Sequence, residues 1–254
     1  MSKKTYILSD LHLGAPHAAQ SREREKHVAR WLRHIAPHAD SIYLVGDIFD
    51  FWFEYKKAVP KGFVRFLGTL GDIADMGVPL HLFTGNHDLW LKDYLEQEIQ
   101  AHIYTKPVIH SLYGRRYYIA HGDGLGPGDH GYKLMKRVFT HPLNQWLFRL
   151  LHPDLGIGLA HKVSAKQNSD SDYFAKQREE DHLGDQEFLY VHSREMYAQH
   201  PDIEAFVYGH RHLLTDDALT NGPRVIYLGD WIRYFSYLEV SESGAELKLY
   251  LPGM

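Results

Sequence analysis

The chain has 254 residues, of which 44% are hydrophobic and 24% charged, a composition typical of globular proteins. It contains no cysteine, which excludes disulfide bonds, thiolate metal sites and cysteine nucleophiles, so a transition metal must be held by nitrogen and oxygen ligands. The net charge of −4 argues against nucleic-acid binding. Because neither a signal-peptide pattern nor a membrane-spanning apolar run occurs, we expect a cytoplasmic protein.

Strand and helix signals alternate over much of the chain, which predicts stacked βα units of an α/β fold. Short apolar runs predict strands at residues 6–8, 42–45, 79–83, 108–112, 117–120, 205–208, 224–228 and 234–240. Turn signals at Gly114, Asn221-Gly222 and Ser243-Gly244 predict hairpins. Apolar residues at helical spacing follow the first two strands and predict helices there.

The segment 125–199 differs from the rest because its apolar residues cluster at helical spacing. Between His130 and Asn168 it has six Lys or Arg and one acid, whereas between Ser169 and Glu195 it has three Lys or Arg and eight acids. We interpret residues 125–199 as a helical cap inserted into a core formed by residues 1–124 and 200–254. An ordinary core stripe and a solvated basic face are the alternatives to a binding role for this cap.

Five predicted strands end in clusters of metal-binding residue types: Asp10-Leu11-His12, Gly46-Asp47-Ile48-Phe49-Asp50, Gly85-Asn86-His87-Asp88, His121-Gly122-Asp123 and Gly209-His210-Arg211-His212. Each cluster alone is weak evidence, because such residues at a strand end often cap a helix or belong to the core. Strands that run into one crevice place these clusters side by side. Five clusters in this order therefore predict a metal centre.

The order Asp-x-His, Gly-Asp-x-x-Asp, Gly-Asn-His-Asp, Gly-His-x-His resembles that of the calcineurin-like metallophosphoesterase superfamily, over nearly the whole chain outside the cap. The resemblance implies a β-sandwich flanked by helices and two metal ions about 3.5–4 Å apart that activate a water for attack on phosphorus. It implies the ligands Asp10, His12, Asp47, Asn86, His121, His210 and His212, with Asp47 bridging the two ions. This ligand set suits Mn²⁺, which we expect, and also accepts Fe, Zn or Ni.

The same resemblance gives roles to two further residues. His87 is expected to face the leaving group, and Asp50, three residues past Asp47, matches the acidic partner that orients such a histidine. We predict that His87 and Asp50 form a general-acid pair. The alternative for Asp50 is a helix N-cap.

Features around these motifs resemble the UDP-2,3-diacylglucosamine diphosphatase family of the lipid A pathway. Trp52 lies five residues past Asp47, and His121-Gly122-Asp123 leads into the basic, apolar cap. The resemblance implies hydrolysis of UDP-2,3-diacylglucosamine to UMP and 2,3-diacylglucosamine 1-phosphate. The substrate contacts that we expect are Trp52, Asp129, Tyr132 and Ser164.

An acylated substrate and a basic, apolar cap also favour peripheral contact with the inner membrane surface. One position departs from the family, because its well-known branch has arginine directly after the metal-binding asparagine, where this chain has His87. The chain thus belongs to a sister branch with the same substrate or hydrolyses another nucleotide diphosphate or phosphoester. The complete ligand set disfavours a non-catalytic scaffold, and the net charge disfavours a nuclease.

Overall fold

The computed structural model describes residues 3–156, 158 and 184–251, which form two β-sheets flanked by helices. The strands are β1 (Lys4–Leu8), β2 (Ala39–Val45), β3 (Leu80–Phe83), β4 (His102–Tyr104), β5 (Val108–Leu112), β6 (Arg115–Ala120), β7 (Ile203–Tyr208), β8 (Leu214–Ala218), β9 (Arg224–Leu228), β10 (Ser236–Ser241) and β11 (Gly244–Leu249). The helices are α1 (Ala18–Ile35), α2 (Val64–Asp75), α3 (Tyr94–Ile99), α4 (His130–Thr140), α5 (Pro142–Arg149) and α6 (Phe188–Gln199), with 3-10 turns at Ala36–His38 and Gly184–Gln186.

The six-stranded sheet has the order β11-β10-β1-β2-β3-β4, in which β1 to β4 are parallel. The five-stranded sheet has the order β5-β6-β7-β9-β8, in which β6, β7 and β9 are parallel. The hairpins predicted at Gly114, Asn221-Gly222 and Ser243-Gly244 join antiparallel strand pairs. The predicted β-sandwich flanked by helices is therefore confirmed.

The central strands are apolar on both faces because each sheet packs on its partner sheet and on helices. In β1, Ile7 joins the core between the sheets, whereas Leu8 packs in the outer core with Trp31 of α1. On the other side, Leu189 and Tyr190 of α6 pack against the second sheet. Both faces of the central strands are thus covered by apolar side chains, whereas polar residues follow their carboxyl ends.

The helices α4 and α5 have the reverse arrangement of a typical surface helix, which buries its apolar face. On α4, Tyr132 and Lys136 contact the core, whereas Leu134 is 63% exposed. On α5, Trp146 is 56% exposed, and Leu150 at its C-terminal end is 65% exposed. Among the described helices, none combines the length and the apolar composition needed to cross a membrane.

Candidate functional site

Six parallel strands, three from each sheet, end beside one another, and a polar residue follows each of them. The residues are Asp10 after β1, Asp47 after β2, Asn86 after β3, His121 after β6, His210 after β7 and Asp230 after β9. Most of these side chains meet in groups whose ligand atoms lie within 4.8 Å of one another. The sequence clusters at the strand ends are thus brought together in space, as the topology of parallel strands requires.

A first group contains Asp10, His12 and His212. The Nε2 atoms of His12 and His212 are 3.2 Å apart, and the two rings are stacked with centroids 5.0 Å apart. Asp10 Oδ1 lies 3.8 Å from His12 Nε2 and 3.5 Å from His212 Nε2. All three side chains are buried, so one carboxylate oxygen and two imidazole nitrogens converge on a space shielded from solvent.

A second group contains Asp47, His121 and His210, with Asn86 beside them. His121 Nε2 lies 3.4 Å from Asp47 Oδ2 and 3.2 Å from Asn86 Oδ1. The same Asp47 oxygen lies 3.5 Å from Nε2 of His12, which belongs to the first group. Asp47 therefore stands between the two groups, where a carboxylate that bridges two cations must stand.

Five of these residues have left-handed backbone conformations, which residues other than glycine rarely adopt. The φ angles are 57° at Asp10, 42° at His12, 49° at Asp47, 67° at His210 and 51° at His212. Such conformations cost roughly 1–3 kcal/mol each and persist only where the surrounding structure holds them, most often at functional sites. The backbone strain therefore coincides with the residues that the motifs single out.

The outer nitrogens of two histidines are held by acceptors, which orients the inner nitrogens. His121 Nδ1 lies 2.9 Å from the carbonyl oxygen of Val45, and His212 Nδ1 lies 3.2 Å from Asp230 Oδ2. Because a carbonyl oxygen and an ionised carboxylate only accept, each Nδ1 carries a proton. In the neutral rings, the lone pairs are thus on the Nε2 atoms that face the cluster, as metal ligation requires.

Buried carboxylates set the electrostatics of this cluster. Burial alone would raise the pKa of Asp47, but His121 and His87 lower it well below its ordinary value. Burial lowers the pKa of His12 and of His121, yet nearby carboxylates outweigh burial and raise both to about 10. The cluster therefore attracts positive charge, and divalent cations that bind there would displace protons. The donor set, its orientation and its charge all fit divalent metal ions.

His87 and Asp50 lie at the rim of this cluster. His87 Nδ1 is 3.5 Å from Asp50 Oδ1 and 3.2 Å from the Asp50 carbonyl oxygen, and its backbone N–H donates to Asp47 Oδ1 at 2.9 Å. Burial lowers the pKa of His87, but Asp47 and Asp50 reverse this effect and raise it. The ring centroids of His87 and His12 are only 4.8 Å apart, so a proton on His87 lies next to the cluster.

Similarity to known proteins identifies the family of this chain. Residues 3–214 match the calcineurin-like phosphoesterase family. The chain belongs to this family. It is 40% identical to the UDP-2,3-diacylglucosamine hydrolase of Porphyromonas gingivalis, over 93% of this chain and 94% of that protein. Proteins with the same name from Aeromonas hydrophila and Actinobacillus succinogenes are 30% and 29% identical, over 92% and 94% of this chain and 93% and 96% of their own lengths.

Membership of the calcineurin-like phosphoesterase family makes this protein a metal-dependent hydrolase that uses divalent metal ions. The resemblance indicated by the five clusters is confirmed. The structure brings together all seven of the ligand candidates and also His87 and Asp50.

The expected substrate contacts of this phosphoesterase lie in different surroundings. The Trp52 side chain is fully buried, stacks on Phe49 with ring centroids 4.3 Å apart, and donates from Nε1 to Glu54 Oε1 at 3.0 Å. These contacts place Trp52 in the core, where it has no exposed surface for a substrate. Ser164 lies outside the described residues.

The other two expected contacts begin helix α4. Asp129 is exposed and caps the helix, because its Oδ1 accepts the backbone N–H of Tyr132 at 3.3 Å. The Tyr132 hydroxyl donates to the buried carboxylate of Asp123, only two residues past His121. Tyr132 is thus tied to the loop of a ligand candidate, whereas Asp129 remains at the surface.

Sequence reasoning gave no role to two functional candidates of this phosphoesterase: Asp123, which lies in a quoted cluster, and Asp230, which it did not name. Both are buried carboxylates that follow a glycine at the end of a parallel strand, as Asp47 does. Asp230 holds His212, and Asp123 accepts from Lys136 of α4. The repeated Gly-Asp pair after an apolar run was the sequence signal that could have revealed them.

Proposed function

We propose that this phosphoesterase hydrolyses the diphosphate bond of UDP-2,3-diacylglucosamine to UMP and 2,3-diacylglucosamine 1-phosphate, a step of lipid A biosynthesis. The observation that carries the proposal is the 40% identity, over 93% of the chain, to a protein named UDP-2,3-diacylglucosamine hydrolase. The exposed apolar faces of α4 and α5 support it, because an acylated substrate needs an apolar surface close to the hydrolytic centre.

The proposed ligands of one metal ion are Asp10, His12 and His212, and those of the other are Asn86, His121 and His210, with Asp47 shared. We propose Mn²⁺ as the native metal, since the set contains only nitrogen and oxygen donors. The ions would supply charge that stabilises the transition state and an activated water. The backbone N–H of His87, which donates to Asp47 Oδ1, helps to hold the shared carboxylate in place.

In the proposed mechanism, His87 gives its proton to the oxygen of the leaving group as the bond to phosphorus breaks. The carboxylates of Asp47 and Asp50 raise the pKa of His87, which favours the protonated ring that a general acid requires, and Asp50 Oδ1 lies 3.5 Å from its Nδ1. A positioned general acid typically accelerates such a step about 10²–10⁴-fold. The Nε2 proton is then the one transferred, because Nδ1 is turned towards Asp50.

The exposed faces of α4 and α5 are proposed to contact the acyl chains and the inner membrane surface. Leu134, Trp146 and Leu150 are each more than half exposed, which is costly in water unless something apolar covers them. We propose that the cap predicted at residues 125–199 begins with α4 and α5 but excludes α6, since Leu189 and Tyr190 of α6 pack on the second sheet. Sedimentation with anionic vesicles at low salt tests the contact, and protein that stays in the supernatant contradicts it.

A second candidate is a diphosphatase of a nucleotide substrate without lipid. It is favoured by His87, which stands where the well-known branch of the diacylglucosamine family has arginine. The two candidates are separated by purified protein loaded with Mn²⁺ and supplied with UDP-2,3-diacylglucosamine or UDP-glucose. UMP release from the acylated substrate alone supports the lipid function, whereas equal or faster turnover of UDP-glucose contradicts it.

The role of His87 is tested with two substrates whose leaving groups differ in basicity. His87→Ala should slow hydrolysis of an alkyl ester of UMP about 10²–10⁴-fold, because its alkoxide must be protonated to leave, and should affect the p-nitrophenyl ester of UMP much less, because nitrophenolate leaves without protonation. His34→Ala, at an exposed position of α1, is the control and should change neither rate. Equal losses on both substrates in His87→Ala would contradict the general-acid role.

A further inference from the structure

A small cavity adjoins His121 beyond the metal cluster. Its volume is about 40 Å³, which is room for roughly three waters or for the oxygens of one phosphoryl group. It lies between the connection from β4 to β5 and the loop after β6, and its walls include Thr84, Tyr104, Lys106, His121, Asp123 and Lys136. Two lysines and the hydroxyl-bearing residues Thr84 and Tyr104 thus line a space that begins at a ligand candidate.

The Lys136 ammonium is anchored at the wall of this cavity. Its Nζ lies 2.5 Å from Asp123 Oδ2 and 3.3 Å from the Asp123 carbonyl oxygen. The Lys136 side chain is 28% exposed, whereas that of Asp123 is 4% exposed, so the ammonium lies on the solvent side of the pair. An ammonium has three N–H donors, and Asp123 engages two of them.

Lys106 contributes a second positive charge to the same cavity. It is exposed, and it forms no ion pair with any residue in the described part of the chain. The metal cluster nearby is lined by buried carboxylates, including Asp10 and Asp47, whose pKa values are lowered by the neighbouring histidines. Any anionic group that is not bound by the metals therefore needs cations of its own, and these two lysines are the cations that the cavity offers.

A diphosphate presents such a group, because its two phosphates share one oxygen and cannot both occupy the same place at the metals. We propose that Lys136 and Lys106 bind the phosphate of the substrate that is not attacked, in the cavity beside His121. This inference rests on the proposed diphosphatase function. Asp123 then acts as a positioning residue, which holds the Lys136 ammonium at the edge of the metal centre.

The test is calorimetric titration of the Mn²⁺-loaded full chain with imidodiphosphate, a diphosphate that resists hydrolysis, and with orthophosphate. Lys136→Gln keeps a hydrogen-bond donor for Asp123 but removes the charge, and Lys106→Gln alters an exposed residue without threatening the fold. Each should weaken imidodiphosphate binding at least about 10-fold, the effect of one charge-assisted hydrogen bond, and leave orthophosphate binding within about two-fold. Lys136→Arg should restore most of the difference.

Arg137→Gln is the matched control, because it removes one positive charge from the same helix at an exposed position that does not line the cavity. Unchanged imidodiphosphate binding in both lysine variants, or an equal loss for both ligands, would overturn the subsite. The outcome is independent of the lipid substrate. If UDP-2,3-diacylglucosamine is not hydrolysed while the lysine effect persists, the proposed substrate fails and the subsite stands.

Discussion

Asp230→Asn replaces one oxygen of a fully buried carboxylate by an amide group and should weaken metal binding. In the native protein, Asp230 Oδ2 accepts from His212 Nδ1 at 3.2 Å and from Arg233 Nη2 at 3.0 Å. Its Oδ1 accepts the backbone N–H groups of Ile232 and Arg233 at 2.9 and 2.6 Å. Asparagine can keep the backbone contacts through its oxygen, but its amide group then faces the donors of His212 and Arg233.

The expected magnitudes come from these contacts. Removing one member of a buried ion pair typically costs about 3–5 kcal/mol, because the other charge is left unpaired. Losing the outer partner of a metal-binding histidine weakens metal affinity about 10–100-fold, since the ring loses its orientation. We therefore expect both effects in Asp230→Asn, measured by urea unfolding of the metal-free protein and by calorimetric titration with Mn²⁺.

Glu54→Gln is the matched control for this experiment. Glu54 is also buried, and its carboxylate accepts the backbone N–H groups of Lys92, Asp93 and Tyr94, but it holds no ligand candidate. It should lose stability and keep its affinity for Mn²⁺. An unchanged Mn²⁺ dissociation constant in Asp230→Asn, or an equal loss of affinity in both variants, would refute the argument that Asp230 orients His212.

Gly85→Ala should weaken Mn²⁺ binding at least about 10-fold, because the new Cβ would lie 2.2 Å from Asp47 Oδ1 and must displace that carboxylate; native affinity in calorimetry would contradict this. Acid should destabilise the metal-free protein as the pH falls from about 6.5 to 4, because burial and then His110 lower the pKa of His81 to about 4 and the folded state needs the neutral ring. The contribution of neutral His81 to the free energy of unfolding is fully present above pH 6.5, and its loss at lower pH should amount to about 1–2 kcal/mol after allowance for partial exposure. In urea unfolding, His81→Phe should therefore make the free energy of unfolding less dependent on pH between 6.5 and 4. Trp52→Phe should cost about 1–3 kcal/mol of stability and leave the KM of the substrate unchanged, because Trp52 is fully buried; a raised KM in a stable variant would return Trp52 to the substrate site.

The ligand candidates could be predicted from the sequence because residues of metal-binding types occur in short motifs directly after the predicted strands. Asp10, Asp47 and His121 each follow a continuous apolar run, and parallel strands bring such ends together whatever the loops between them do. The sheet order itself could not be derived from the runs, since pairing of β9 with β7 depends on contacts distant in sequence. Strand β4 has only three residues, and that is too short for a periodic signal.

Roles that depend on a single contact between distant residues were beyond sequence reasoning. Asp123 stood within a quoted motif, but its function depends on Lys136, thirteen residues away on another element. A tryptophan near a ligand gives the same sequence pattern whether its ring faces the substrate or the core. The Trp52 ring lies in the core. The apolar residues of α4 were visible at helical spacing, but only the packing shows that they face outward.

The short distance between His12 and His212 couples metal binding to the stability of the folded protein. Their Nε2 atoms are 3.2 Å apart although 200 residues separate them, and the chain has no cysteine with which to cross-link such distant segments. A cation held by both would close this 200-residue stretch into a loop, as a long-range disulfide does, and long loops gain most from closure. Because metal binds the folded state, a free concentration one hundred times the dissociation constant adds about 2.7 kcal/mol of stability. Metal removal should therefore lower the free energy of unfolding of the protein by about this amount, in addition to abolishing its catalysis.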